Sequence, residues 1–343
     1  MIDPGLEYVT RRTIVTGPAE VRFPLRPGDR ALVAAGDVLV PGSRIADRLR
    51  EAQLEEVRGA PVPDDARPGD RWAHEPSEAG PHIRRGKEES AGELLFELGG
   101  HWRIATGEHP EQIDSPVGGV VRDVRPGIGI RVRAVGRVIR GVEALGEPSR
   151  GLLAINPEPP EGAGPGTRLK AGSLDVGLAG AILVVGSRVD AETLTRARAM
   201  GLRGIIVAGL AGKERRDFLA SEARQRASLH RLPTFAVLVL DGAVRRPIAS
   251  PIASVLAAIA GREVAIVMDP PALVFDESEV DLAPPPSDLV RVRAGERIGR
   301  EGRWAGLAGL RRFADGTFLE AGWIRYDGGG SVAVPLADLE RFG

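Results

Sequence analysis

Two kinds of hydrophobic spacing divide the chain. In the second half of the stretch from Asp114 to Gly141 apolar and charged positions alternate: Ile128, Ile130 and Val132 fall on one side, Arg131 and Arg133 on the other. A period of two describes a strand buried on one face. Pro126-Gly127 predicts the turn that enters it. Ser115-Pro116-Val117-Gly118-Gly119 predicts a bend in which glycine lets two backbones approach closely. Farther along the alternation stops. Ala181–Val185 (AILVV), Gly204–Ala208 (GIIVA) and Thr234–Leu240 (TFAVLVL) are unbroken apolar runs, the pattern of strands covered on both faces, and Glu263–Met268 predicts a fourth. Helical signals lie between them. Asp190 is placed to cap a helix that runs to Met200 and stops at Gly201, and Lys213–Ser228 predicts a charged helix. Ser250-Pro251 supplies an N-cap and an N1 proline for a third helix, closed by Gly261. Strand and helix in strict turn predict right-handed crossovers and a four-stranded parallel sheet of Rossmann-like or swivelling type.

The flanks are β-like and heavily punctuated. Val21 to Leu25 reads as a strand, and Pro27-Gly28-Asp29, Gly36-Asp37 and Pro41-Gly42 are turns between short apolar runs. Ile45 to Val57 predicts a short amphipathic helix, and residues 59–92, polar and aperiodic, an inserted surface loop. LLFEL and HWRIA flank Gly99-Gly100, the signal for a two-residue hairpin. Residues 147–172 and 270–286 are linkers by their proline and glycine content.

Two resemblances rest on these phrases. PGDRALVAAGDVLVPGSRIA and DSPVGGVVRDVRPGIGIRVRAVGRVIRG resemble the two halves of a barrel-sandwich hybrid, the biotinyl/lipoyl-like hammerhead. They are also similar to the N-terminal regions of Rnf-type C subunits and to hybrid modules of large RNA polymerase subunits. Biotinyl and lipoyl carriers present an acceptor lysine, and this chain has none between Lys87 and Lys170, so the swinging-arm role is excluded. The tail, with Val290, Val292, Gly295, Gly299, Gly302 and Trp304, a Gly328-Gly329-Gly330 tip and a closing turn from Val334 to Leu339, resembles a KOW/SH3-like barrel. The expected organisation is therefore a multidomain β and α/β chain. A barrel-sandwich hybrid would span 1–146, a parallel α/β domain 173–269 and a small SH3-like barrel 287–343.

Composition narrows the chemistry. With 343 residues and 43% hydrophobic content, two or three cores are within reach. The absence of cysteine removes disulfides, thiolate metal sites and cysteine nucleophiles. A net charge of -1 speaks against a chain devoted to polyanions, and 4% aromatics leaves little for stacking on single strands. No run is long and apolar enough for membrane insertion, and the N-terminus lacks a signal-peptide core, so the cytoplasm is the expected compartment.

Candidate sites follow from position. Ligands of open α/β sheets bind beyond the carboxyl ends of the strands, where Ser187, Arg188, Lys213, Arg245 and Arg246 would make an anion-binding set. No GxGxxG occupies the first turn, and Glu214 stands where a P-loop has Ser or Thr. His74, Glu78 and His82 have metal-like spacing, but Pro76, Gly80 and Pro81 break the helix that would align them, so no metal is expected. In the tail, Arg291, Arg293, Arg300, Arg303, Arg311 and Arg312 around Trp304 form the basic stripe a nucleic-acid module would use. Nearby carboxylates leave that stripe close to neutral. The leading expectation is a non-catalytic assembly or adaptor protein without a cofactor, acting through protein partners. A transcription- or ribosome-related factor using the tail, and an anion-binding protein or enzyme at the strand ends, are the alternatives.

Overall fold

The computed structural model describes residues 5–25, 28–49, 53–56, 71–72, 84–85, 88–89, 92–98, 101–106, 110–156, 176–227, 234–276 and 282–343. It is mostly β, built from several sheets. From the N-terminus run β1 (Thr10–Arg12), β2 (Glu20–Pro24), β3 (Arg30–Ala31), β4 (Val38–Leu39) and β5 (Arg44–Leu49). An excursion follows through β6 (Gln53–Glu56), β7 (Arg71–Trp72), β8 (Arg84–Arg85), β9 (Glu88–Glu89), β10 (Gly92–Leu98) and β11 (His101–Thr106). The chain then returns with β12 (Pro110–Asp114), β13 (Gly119–Arg125) and β14 (Gly129–Ala134).

These strands form sheets ordered β2-β14-β13-β4 and β12-β5-β3, which share one apolar cluster containing Phe23, Ile45, Val121, Ile130 and Val132. The alternation holds through β14, where Ile130, Val132 and Ala134 are buried and Arg131 and Arg133 are exposed. Ile128, expected on the buried side, sits in the preceding turn and is 51% exposed. Gly119 is required by close approach: a Cβ there would lie 2.2 Å from the carbonyl oxygen of Arg133. The helix expected from Ile45 to Val57 is instead β5 and β6. β5 pairs with β12 on one side and β3 on the other, and that pairing overrides local helix propensity. Leu98 pairs with His101, the register a connection through Gly99 and Gly100 requires, although those two glycines lie outside the described residues. Within the expected 59–92 loop, β7 joins β10 and β8 pairs with β9.

The central unit comprises β15 (Arg137–Arg140), β16 (Glu143–Gly146), β17 (Ser149–Ile155), β18 (Ala181–Val185), α1 (Ala191–Ala199), β19 (Gly204–Val207), α2 (Gly212–Ala227), β20 (Ala236–Val239), α3 (Ser250–Ala258), β21 (Glu263–Met268) and β22 (Pro271–Phe275). Its eight-stranded sheet is ordered β15-β22-β21-β17-β18-β19-β20-β16. Four strands, β17 to β20, are parallel, but they are not the four expected. The first, β17, lies in the expected linker 147–172, and β21 runs antiparallel beside it. β22 likewise falls in the expected linker 270–286, and β15 and β16 fall in the expected first domain. Averaging over proline- and glycine-rich stretches conceals strands of four to seven residues.

Both faces of this sheet are covered, which is why its runs do not alternate. Leu183, Val185, Ile205 and Val207 pack with Leu194 of α1 and Phe218 of α2. Ile182, Val184, Ile206 and Leu238 pack on the other side with Ile252, Leu256 and Ile259 in and just after α3. Arg198 and Glu222, both buried, clasp α1 to α2. The β21–β22 hairpin is a shared wall. Val264, Ile266, Leu273 and Phe275 face the α3 core, while Ala265, Val267, Ala272 and Val274 face the N-terminal sheets.

The tail contributes β23 (Leu289–Val292), β24 (Glu301–Arg312), β25 (Phe318–Arg325), β26 (Ser331–Pro335) and β27 (Leu339–Phe342). The sheet order is β1-β27-β23-β24-β25-β26. Among the described residues no ladder joins β1 to β26, so the expected closed barrel is an open sheet. Its sixth strand comes from the opposite end of the chain. β1 pairs parallel with β27, and Leu6 and Val9 lie in one core with Val290, Val292, Trp304 and Leu339. Leu6, Val9 and Thr10–Arg12 thus belong to the tail and not to the N-terminal domain.

Candidate functional site

The carboxyl ends of the parallel strands meet the tail sheet. Asp241 follows β20, and its side chain is fully buried. Arg291 of β23, itself 0% exposed, grips it with two bonds: Nη1 donates to Oδ2 at 3.1 Å and Nη2 to Oδ1 at 3.0 Å. Arg291 Nε also donates to Oε1 of Glu340 on β27 at 2.7 Å. Arg12 of β1 binds Asp241 from a second side, and its Nη2 donates to the Leu240 carbonyl at 3.1 Å. Arg246 closes the cluster, donating to the Asp241 carbonyl and, at 3.4 Å, to that of Arg293. Three guanidinium groups therefore share two carboxylates drawn from both ends of the chain and its middle.

The electrostatics follow from that crowding. Burial pulls the Asp241 carboxyl upward, but hydrogen bonds and charge from Arg291 and Arg12 outweigh it and hold the group below the ordinary carboxylate range. Burial lowers the Arg291 guanidinium, yet Asp241 and Glu340 more than compensate and raise it. Arg246 shifts down because burial, reinforced by Arg291, exceeds the pull of Asp241. The arrangement holds the charges of Asp241 and Arg291 in place.

Two further contacts fasten the same junction. α3 begins after Ala249, which has no capping side chain. Ser250, expected as the N-cap, is the first helical residue. Its N–H and hydroxyl both donate to Glu301 of β24, the backbone bond at 2.7 Å. Ile14, Leu289 and Phe342 join the α3 core directly. A Cβ on Gly299 would come within 2.9 Å of the Arg246 Cβ, a measure of how closely the two units touch.

The expected anion set does not converge. Arg246 belongs to the ion cluster, and Arg245 is exposed. Lys213 is solvated and pairs with Asp217 one turn on at 3.5 Å. Ser187 is buried and its hydroxyl has no hydrogen-bond partner among the described residues, while Arg188 is half-buried. The start of α1 is already served by carboxylates: Asp190 accepts from Thr193 N at 2.7 Å and Glu214 from Ala191 N at 2.9 Å. An anion there would have to displace them.

The expected nucleic-acid stripe is divided. Arg291 is interior, and Trp304 is a core residue at 7% exposure. Arg303 pairs with Asp288 at 2.6 Å. Arg293, Arg300, Arg311 and Arg312 remain exposed. The VRVR alternation in β23 predicts sides but not what covers them, so Arg291 was bound to be misplaced from sequence alone. His74, Glu78 and His82 lie outside the described residues, and no metal-binding group of side chains occurs among the described ones. No described helix is long and apolar enough to cross a membrane.

A cleft of about 500 Å³ lies between the N-terminal sheets and β17, β21 and β22, with Pro41, Pro116, Val135 and Val264 in its wall and the Arg150–Glu263 pair among its lining residues. None of the anion-binding or nucleic-acid candidates named from sequence lines it, although Pro41 and the Pro116-Val117-Gly118 bend do. Val135 is an exposed apolar residue of that wall, and a further group lies on the tail sheet. Leu307, Leu310, Phe318 and Leu319 are 48%, 61%, 61% and 42% exposed and cluster on the outer part of the β24–β25 hairpin. No family model matches this sequence, and no curated protein matches it.

Proposed function

We propose that this chain is an assembly or adaptor protein that works by presenting the β24–β25 hairpin to a protein partner. In finer terms, the N-terminal sheets make a barrel-sandwich hybrid and the tail an SH3-like module, with the α/β unit as the frame between them. The observation that carries this reading is the concentration of exposed leucine and phenylalanine on one hairpin of a sheet otherwise fixed to that frame. Exposed apolar side chains gathered on one element mark interaction sites more often than chance exposure does. The ion cluster supports it, because the strand ends where a ligand would sit are filled by arginines of the same chain.

Photo-crosslinking from position 310 in the intact chain, inside the cells that make it, tests the proposal. A discrete protein adduct is expected from position 310 and not from Ile128, an exposed apolar residue elsewhere. Adducts to RNA or DNA instead, with affinity that drops steeply as salt rises, would transfer the function to the nucleic-acid alternative.

A further inference from the structure

β24 and β25 stay paired beyond the rest of their sheet. β23 pairs with β24 only at Glu301, Gly302 and Arg303, and β26 pairs with β25 only from Ala321 to Arg325. The rungs Leu310↔Glu320, Arg311↔Leu319 and Arg312↔Phe318 therefore form a two-stranded ribbon. Directly opposed residues share a face, and so do residues two apart. Leu310, Glu320, Arg312 and Phe318 make one face; Arg311 and Leu319 belong to the other. On that second face Arg311 is partnered within the chain. The Arg311 guanidinium lies 5.1 Å from the Trp323 ring centroid, and its Nε donates to the Ala308 carbonyl at 3.0 Å. On the first face all four side chains are exposed, and neither Arg312 nor Glu320 has an ion-pair partner among the described residues.

The four side chains stand at the corners of a rectangle about 4.8 Å across the strands and about 6.8 Å along them. Leu310 and Phe318 occupy one diagonal, Arg312 and Glu320 the other. A two-fold axis lying along the apolar diagonal, in the plane of contact, turns this face onto a copy of itself. Leucine then meets leucine, phenylalanine meets phenylalanine, and each Arg312 opposes a Glu320. The axis makes about 35° with the strands, so the two ribbons would cross at about 70°, near the orthogonal class of sheet packing. An isologous contact uses one patch twice, which is what this pattern provides.

We propose that this face docks a second copy of the chain, forming a two-fold dimer through Leu310, Phe318, Arg312 and Glu320. The proposal rests on the ribbon being a protein-docking surface and names its occupant. Four side chains per copy cover less than the roughly 800 Å² per partner of a standard interface, so the dimer exchanges readily with monomer.

Sedimentation of the purified intact chain from about 1 µM to about 1 mM reads the dissociation constant directly. A concentration-dependent dimer is expected. Arg312→Glu and Glu320→Arg each set like charges together twice, so each should weaken it about tenfold or more. Arg312→Glu combined with Glu320→Arg restores the pairs in reverse and should return the constant to within about threefold of the original. A thermal melt confirms that each variant folds. A chain that stays monomeric throughout, or single reversals that change nothing, or a double reversal no better than the singles, each overturns the dimer. If the purified chain is monomeric while position 310 still crosslinks to another protein, the dimer fails and the adaptor reading stands.

Discussion

The Asp241 junction and the outer ribbon contain the same ingredients in opposite states. Each sets arginine and carboxylate among apolar side chains on or beside the tail sheet. At the junction Arg291 has every nitrogen bonded to Asp241 or Glu340, and Phe342 lies 5.7 Å under its guanidinium. On the ribbon Arg312 and Glu320 share a face without meeting, and two large apolar residues beside them face outward. Burial makes the first a lock, because a charge taken from water must find its partner inside the chain. Exposure leaves the second available to another molecule. The comparison separates arginines that hold this protein together from arginines free to hold something else.

The sharpest way to break that contrast is at Arg291. Arg291→Met should destabilise the chain by about 3 kcal/mol, the lower end for breaking a buried pair, because Arg12 and Arg246 still face Asp241. Urea denaturation measures it. Adding Asp241→Leu should recover part of the loss, since the uncompensated carboxylate is then gone. A loss below about 0.5 kcal/mol would place Arg291 among ordinary surface arginines and erase the distinction.

Acid should sharpen it next. The folded-state pKa of Asp241 lies below its ordinary value, so its ionised form stabilises the fold at pH above that ordinary value. That contribution is lost as pH falls through the folded value. Arg12, Arg246, Arg291 and Glu340 face the group. Asp241→Asn should therefore be less stable than the parent at pH 7, with the gap narrowing below about pH 4. A constant gap across a pH series of denaturation curves would contradict the linkage.

Much of the frame was legible in the chain because local rules and tertiary demands agree there. Asp190 caps α1 as its position predicts, and Gly201 ends that helix at φ 87°. The runs around Ile182, Ile205 and Val237 are strands buried on both sides. What escaped depends on partners far away in sequence. β1 is three residues of Thr-Arg-Arg with no apolar period, and it forms only because β27 lies alongside. Arg291 sits in an alternating strand whose polar side happens to meet another unit. Arg311 and Arg312 are neighbours in sequence, and their different fates depend on register shifts around Leu307, near Gly306 and Gly309 at positive φ. Sequence names the candidates; register decides which of them is spoken for.

Glu301 tests the junction at a smaller scale. It supplies the cap that Ala249 cannot, and it does so from another unit. Glu301→Ala should cost about 1 kcal/mol in denaturation, the usual value of a lost N-cap. Glu301→Gln, which keeps an acceptor oxygen, should cost less. Equal losses would show that charge at the helix start, not the hydrogen bond, is what Glu301 provides.

The finest test compares Arg311 with Arg312. Arg311→Ser removes a guanidinium from the Trp323 ring and should cost about 0.5 kcal/mol, the worth of an exposed cation–π contact. Arg312→Ser removes no hydrogen bond or ion pair to the described residues, so stability should stay within about 0.5 kcal/mol of the parent and closer to zero than for Arg311→Ser. Sedimentation should reverse the ranking. Arg312→Ser takes away both charge pairs of the proposed dimer, whereas Arg311 projects from the opposite face of the ribbon. If the two variants shift stability and association in parallel, the ribbon does not have one committed face and one open one, and the contrast with the Asp241 junction reduces to burial alone.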